Sequence, residues 1–150
     1  MIGRDRLAKW GKVNYKALQD MQAKIQQLDQ ERDDFCRAAA KELAARLLRK
    51  VKMRTPVGVY PEGSGKSGGT LRRNWTIGAT IRREGNSYIV DVINPTEYAP
   101  YVEYGHRTRG GKGFVKGRFM LTVSVDEIQR DAPKILEKKL EKWLVEHYGK

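Results

Sequence analysis

A chain of 150 residues with a net charge of +12 and one cysteine has room for one domain around a single modest core, which excludes a multidomain enzyme. The lone Cys36 excludes an internal disulfide and any multi-cysteine metal site, and its helical, partly apolar setting beside Phe35 and Ala38 predicts an inert buried thiol. Apolar runs fall far short of the roughly 20 residues that span a bilayer, and Met1 to Trp10 is charged where a secretory leader would be apolar. The expectation is a chain made and kept in a cytoplasm.

The positive charge is unevenly placed. Met1 to Pro56 holds 14 Lys and Arg against 7 Asp and Glu, Val57 to Val125 holds 10 against 5, and Asp126 to Lys150 balances at 6 and 6. Such a balance suits nucleic acid, an acidic protein surface or a lysine-rich solvated face.

Along the chain, Leu18, Met21, Ile25 and Leu28 recur at helical spacing and predict a short amphipathic helix over Asn14 to Leu28, within an N-terminal extension of residues 1–30. The polar run Asp29 to Asp34 interrupts that stripe. Phe35, Ala39, Leu43, Leu47 and Val51 then repeat every four residues and predict a long helix over 31–54, its cations Arg46, Arg49, Lys50, Lys52 and Arg54 gathered toward the negative end of the macrodipole. Thr55-Pro56 stops it, because a residue before proline is pushed out of the helical region.

Residues 55–70 form a glycine-rich loop; its Val57 to Thr70 part has five glycines and a proline. Gly65-Lys66-Ser67 invites comparison with a phosphate-binding loop, but Tyr60 stands where that motif needs its first glycine. A strand is expected to follow, leaving no helix N-terminus to receive phosphate.

Residues 71–123 read as a sheet. Leu71 to Arg82 alternates apolar and polar residues, Glu84 to Ser87 makes a turn, and Tyr88 to Ile93 alternates again, predicting an antiparallel hairpin. Tyr101 to Tyr104 reads as a third extended segment and Arg118 to Val123 as a fourth. Ser124 and Glu127 have capping-box spacing, so the last helix is expected over 124–148, with Pro133 kinking or splitting it. The predicted fold class is α+β: an antiparallel sheet of about four strands packed against the long N-terminal-half helix and the C-terminal helix, in a single domain over 1–150.

Two surfaces stand out. Tyr98, Tyr101 and Tyr104, with Glu103, are candidates for contact with a subunit or partner, since tyrosine brings large amphipathic area at little entropic cost. Strand alternation would put Val102 and Tyr104 on one face and Tyr101 and Glu103 on the other, leaving some of these rings in the core. Gly105 to Arg118 carries Arg107, Arg109, Lys112, Lys116 and Arg118 without an acid, plus His106 and Phe114. This loop either folds onto an acidic partner or onto DNA phosphates, or remains solvated without a duty. Catalysis finds no foothold. His106 and His147 have no metal-binding spacing, no nucleophile elbow occurs, and Glu31 with Asp33 and Asp34 reads as solvated or capping carboxylates.

The order YAPYVEYG, basic loop, RFMLTVSV and APKILEKKL, preceded by Thr55-Pro56-Val57 and by Gly69-Thr70-Leu71-Arg72, resembles the small neck or tail-completion proteins of tailed bacteriophages and phage-tail-like particles. The likeness covers Phe35 to Leu144. It implies a small α+β subunit with no cofactor and no catalysis, forming a homo-oligomeric ring at the head–tail junction and joining connector to tail. The partners it implies are neighbouring connector and tail proteins, with DNA passing through the lumen, no membrane and no small-molecule substrate. The implied location is the virion, with the host cytoplasm during assembly. A terminator that caps the tail tube, or a basic nucleic-acid-binding domain using the Gly105 to Arg118 loop with Arg46 to Arg54, are the alternatives. Absence of an RNP, zinc-finger or helix-turn-helix signature weighs against the last.

Overall fold

The computed structural model describes residues 15–149. The charged stretch Met1 to Trp10, the expected helix start at Asn14 and the Leu18 side chain lie outside the described residues. The architecture is α+β: long helices at each end of the described chain and short antiparallel strand pairs between them. Contacts divide the chain into two compact units, Met1–Cys36 and Arg37–Lys150.

Helix α1 spans Tyr15–Arg54. The polar run at 29–34 does not end it, contrary to the reading of two helices. That run contains no glycine or proline, and its side chains pair at helical spacing: Gln27 to Glu31 and Gln30 to Asp34 at 3.0 Å each, and Arg32 to Asp29 at 2.6 Å. In the first unit Met21, Ile25 and Leu28 form one stripe, each at least half exposed.

In the second unit the end of α1 is built into the core. Thr55, fully buried, donates its hydroxyl to the Val51 carbonyl (2.7 Å) and accepts the indole N–H of buried Trp75 (2.8 Å). Its own carbonyl accepts both arms of the Arg72 guanidinium, at 2.7 and 3.1 Å. Every polar atom of this knot therefore has a partner in a place where an orphan would cost about 1–3 kcal/mol. Val51, Leu71, Trp75, Ala99 and Met120 make the core around it, flanked by Leu47, Leu48, Val92, Val102 and Leu121.

The sheet differs from the expected four strands. Six short strands form three antiparallel pairs among the described residues: β1 (Thr76–Ile77) with β4 (Val92–Ile93), β2 (Arg82–Glu84) with β3 (Ser87–Ile89), and β5 (Gly105–Arg107) with β6 (Phe114–Lys116). The strand expected from Leu71 begins instead as a one-turn helix, α2 (Thr70–Arg73), entered from Gly69 at φ 90° and closed by Arg73 and Asn74 amides on the Gly69 and Thr70 carbonyls. So a helical turn follows the glycine loop, where a strand was expected. The hairpin itself is present, but Gly78 to Ile81 on one side faces only Val90 and Asp91 on the other. This two-residue excess breaks the ladder into two pieces, held together by the Gly78 amide on the Asp91 carbonyl (2.7 Å) and by Arg82 on the Asp91 carboxylate (2.9 Å).

Two further segments are helical where strands were expected. Tyr101 to Tyr104 belongs to α3 (Ala99–Tyr104), with Pro100 in its first turn, a position that tolerates the missing N–H. Helix α4 spans Met120–Tyr148 and absorbs the segment read as a fourth strand. Its start lies four residues before Ser124, so the capping-box reading fails. Ser124 is buried inside the helix and donates to the Met120 carbonyl at 2.6 Å. Pro133 lies within α4, which continues through it as one element rather than splitting there.

A candidate assembly surface around α3 and the basic hairpin

The short α3 positions both surfaces singled out in the sequence. It sits on the core through Ala99 and Val102, while its C-terminal carbonyls receive the chain that leads into α4: the Arg118 amide reaches Val102 (2.8 Å) and the Phe119 amide reaches Glu103 (3.0 Å). Gly117 lies so close against this helix end that a Cβ there would meet the Glu103 carbonyl at 2.3 Å and Tyr104 carbon at 2.6 Å. No residue but glycine fits that approach. Hairpin, α3 and the start of α4 are thus tied at one point.

Glu103 lies inside this knot, only 5% exposed. Phe119, at φ 48°, precedes α4 and offers no side-chain cap. The Glu103 carboxylate takes over that task, accepting the Leu121 amide (2.9 Å), the Thr122 amide (2.9 Å) and the Thr122 hydroxyl (2.7 Å). These amides are the ones an N-cap side chain would serve, and a carboxylate also suits the positive pole of the helix. Glu103 is therefore an internal strut, not an outward contact residue.

The three tyrosines separate from it cleanly. Tyr98, Tyr101 and Tyr104 are 47%, 58% and 64% exposed, spaced by three along a helical turn and so presented on one side of α3. Strand alternation had divided them between faces. Helical period replaces it, and none of the three rings is core. Tyr101 meets His106 edge-on at 6.1 Å between ring centroids, and Tyr104 meets Phe119 at 6.5 Å, so the row continues onto β5.

Residues 105–118 are not a featureless loop. β5 and β6 pair Gly105 with Lys116, His106 with Val115 and Arg107 with Phe114. The loop between them is closed by Thr108, whose amide and hydroxyl both reach the Gly113 carbonyl (2.9 and 3.3 Å). Alternation puts His106 and Val115 on one face, and Arg107 and Phe114 on the other. Arg107, Arg109, Lys112, Lys116 and Arg118 are all exposed, and none makes an ion pair with a described residue. Phe114 is exposed among them. An aromatic ring set among unpaired cations is a surface able to take up carboxylates or phosphates together with apolar area.

Each strand has one partner among the described residues, so every pair leaves outer edges unoccupied. Such edges are templates for another chain.

The same residues hold little suited to chemistry. Among the described residues no group of three or more His, Cys, Asp and Glu is placed to hold a metal ion, and no helix is long and apolar enough to cross a membrane. His106 lies on β5, far along the chain from His147, whose Nδ1 donates to the Trp143 carbonyl at 2.9 Å. Cys36 is half-buried. Two carboxylates are held below their usual range, Glu127 by hydrogen bonds from Lys50 and Arg54 and Glu42 by those from Lys139 and Arg46. Both pairings link α1 to α4, with Lys50 on Glu127 at 2.8 Å and Lys139 on Glu42 at 2.9 Å.

What the sequence reading missed is Glu103 as a cap and the sorting of charge on α4. That helix carries 5 Lys and Arg against 6 Asp and Glu, yet Lys134, Lys138 and Lys142 recur every four residues on one face, a pattern visible in the sequence.

The family model described as "Bacteriophage HK97-gp10, putative tail-component" matches residues 19–105, more than half of the chain. The matched span contains Thr55, Leu71, Trp75 and the α3 tyrosines, and ends at the first residue of β5. No curated protein and no solved structure matches the chain.

Proposed function

Because the chain belongs to the HK97-gp10-like family of phage tail components, we propose that it is a structural subunit that forms a ring at the head–tail junction and completes the joining of connector to tail. The observation that carries this reading is the row Tyr98, Tyr101 and Tyr104, exposed on α3 beside a hairpin whose cations are unpaired among the described residues. Large apolar rings and unmatched charge left outside on a rigidly tied element are what a contact surface needs before its partner arrives. Unoccupied strand edges add a second means of joining. A closed ring repeats one heterologous contact by rotation, so modest contacts accumulate around it.

In this reading the tyrosine row faces a neighbouring subunit. The cations Arg107, Arg109, Lys112, Lys116 and Arg118 meet an acidic surface of the adjoining connector or tail ring. DNA passes the lumen without being gripped. No cofactor and no catalytic step is involved. The chain stays monomeric or weakly associated until the portal or tail nucleates it.

Cryo-electron microscopy of intact particles tests this. The expected result is a closed ring of this chain between connector and tail tube, with α3 at the subunit contact. Density at the head-distal end of the tube, or no ring at all, would overturn it. The first of these outcomes would favour a tail-tube terminator.

A further inference from the structure

On the part of α1 that belongs to the first unit, Met21, Ile25 and Leu28 are exposed. In the sequence they continue Leu18 at spacings of three, four and three, and Arg32 follows four residues on. A spacing that averages about 3.5 residues makes a narrow seam, the a and d positions of a coiled coil, where a helix that covers a globular core shows a wider stripe. The other positions between 19 and 34 hold only Gln, Asp, Glu, Lys and Ala. The seam is therefore the one strongly apolar strip of this stretch.

Its borders carry both signs of charge. At about 100° per residue, Gln22 and Asp29 run along one side of the seam and Lys24 and Glu31 along the other. Asp29 is already paired with Arg32 at 2.6 Å. Glu31 accepts a hydrogen bond from the neutral Gln27 amide, and neither it nor Lys24 pairs with a charge on a described residue. A strip with a cation near one end and an anion near the other on the same border complements a reversed copy of itself.

We propose that segment 18–35 of α1 pairs antiparallel with the same segment of a second copy. With the two-fold axis between Gln26 and Gln27, Ile25 of each copy lies against Leu28 of the other, and Met21 lies against Arg32. Lys24 comes beside Glu31 of the second copy, twice by symmetry, since antiparallel helices match like borders. Arg32 keeps its own Asp29 and lays its methylenes over a methionine. A parallel pair in register would instead set Arg32 against Arg32, a repulsion that disfavours it. The contact is isologous and closes at two copies. It uses none of the α3 residues and does not rest on the ring-subunit reading. Three apolar side chains from each copy make a small seam, so the pair is weak and reversible.

The experiment is sedimentation velocity on the full chain and on the variants Lys24→Glu, Glu31→Lys and Ile25→Gln. The wild-type chain is expected to form dimers, and nothing larger, as its concentration approaches ~1 mM. Each charge variant turns two attractions into two repulsions and should lose about tenfold in association constant. Ile25→Gln, at an exposed position, should abolish the dimer. An equimolar mixture of Lys24→Glu with Glu31→Lys should associate like wild type, because one copy then presents two anions to two cations. The chain carrying both substitutions should do the same. A folding defect could not be cured by mixing.

The proposal is overturned if any single variant associates like wild type, if neither the mixture nor the double variant recovers, or if the wild type is monomeric through that range. Loss on Lys24→Glu with no change on Glu31→Lys would also overturn it, since that is the result for a parallel pair, in which Lys24 faces Asp29 and Glu31 faces Cys36. Any of these failures would leave the neck reading standing on the microscopy of particles.

Discussion

Replacing Glu103 by alanine removes the acceptor for two backbone amides and one hydroxyl at the start of α4, in a position 5% exposed. Loss of an N-cap alone costs about 1 kcal/mol. Here the acceptor is charged and the orphaned donors are shielded, each such donor costing about 1–3 kcal/mol. Since the amides are adjacent and water can reach the first turn once the side chain is gone, these costs overlap. An expected destabilisation of about 2–4 kcal/mol follows. Glu103→Gln keeps one carbonyl oxygen, enough for Thr122, but turns an amide N–H₂ toward the Leu121 amide, so about half of that loss is expected. The assay is urea unfolding followed by circular dichroism at neutral pH, where the midpoint should fall and the slope stay unchanged. Both variants lying within ~0.5 kcal/mol of wild type would refute the capping role and return Glu103 to the list of contact residues.

Thr55→Val keeps the shape of the buried hub but leaves the Trp75 indole N–H without its acceptor, and urea unfolding should show a loss of about 1–3 kcal/mol. Glu127 has its folded pKa lowered by Lys50 and Arg54, so its contribution to stability is complete above the unfolded carboxylate value of 4.5 and disappears as pH falls through the lower folded value. A pH series of thermal melts should therefore show wild type losing more stability than Glu127→Gln below that point, and parallel curves would contradict it. Changing Tyr98, Tyr101 and Tyr104 together to serine should leave urea stability within about 1 kcal/mol, because the rings are exposed. The same variant, supplied in place of wild type during assembly, should fail to yield joined particles on plaque assay.

The helices were legible where apolar period and breakers agreed. Phe35 to Val51 repeats every four residues and Thr55-Pro56 stops the run, as the structure has it. The sheet was less so, for two physical reasons. Alternation between Leu71 and Arg82 carries no sign of the two-residue excess at Gly78 to Ile81 that breaks the ladder. Arg118 to Val123 contains β-branched residues, yet it helps to begin α4 because a carboxylate from another element caps the helix. Tertiary context overrode propensity there, and a cap supplied from Glu103 leaves no local motif to read. The tyrosines were found as residues but given the wrong period. Spacing of three with Pro100 one residue after Ala99 marks a helical turn, and that signal was present in the sequence. The cations on α4 escaped notice because bases and acids nearly balance along the helix, 5 against 6, while charge matters face by face.

Negative-stain microscopy of particles made with and without this chain tests a role in joining head to tail most directly. Deletion is expected to give full heads and finished tails lying apart, restored to joined particles when the chain is supplied in trans. Normal, joined and infectious particles from the deletion would contradict it, and tails of uncontrolled length would move the chain from the neck to the end of the tail tube.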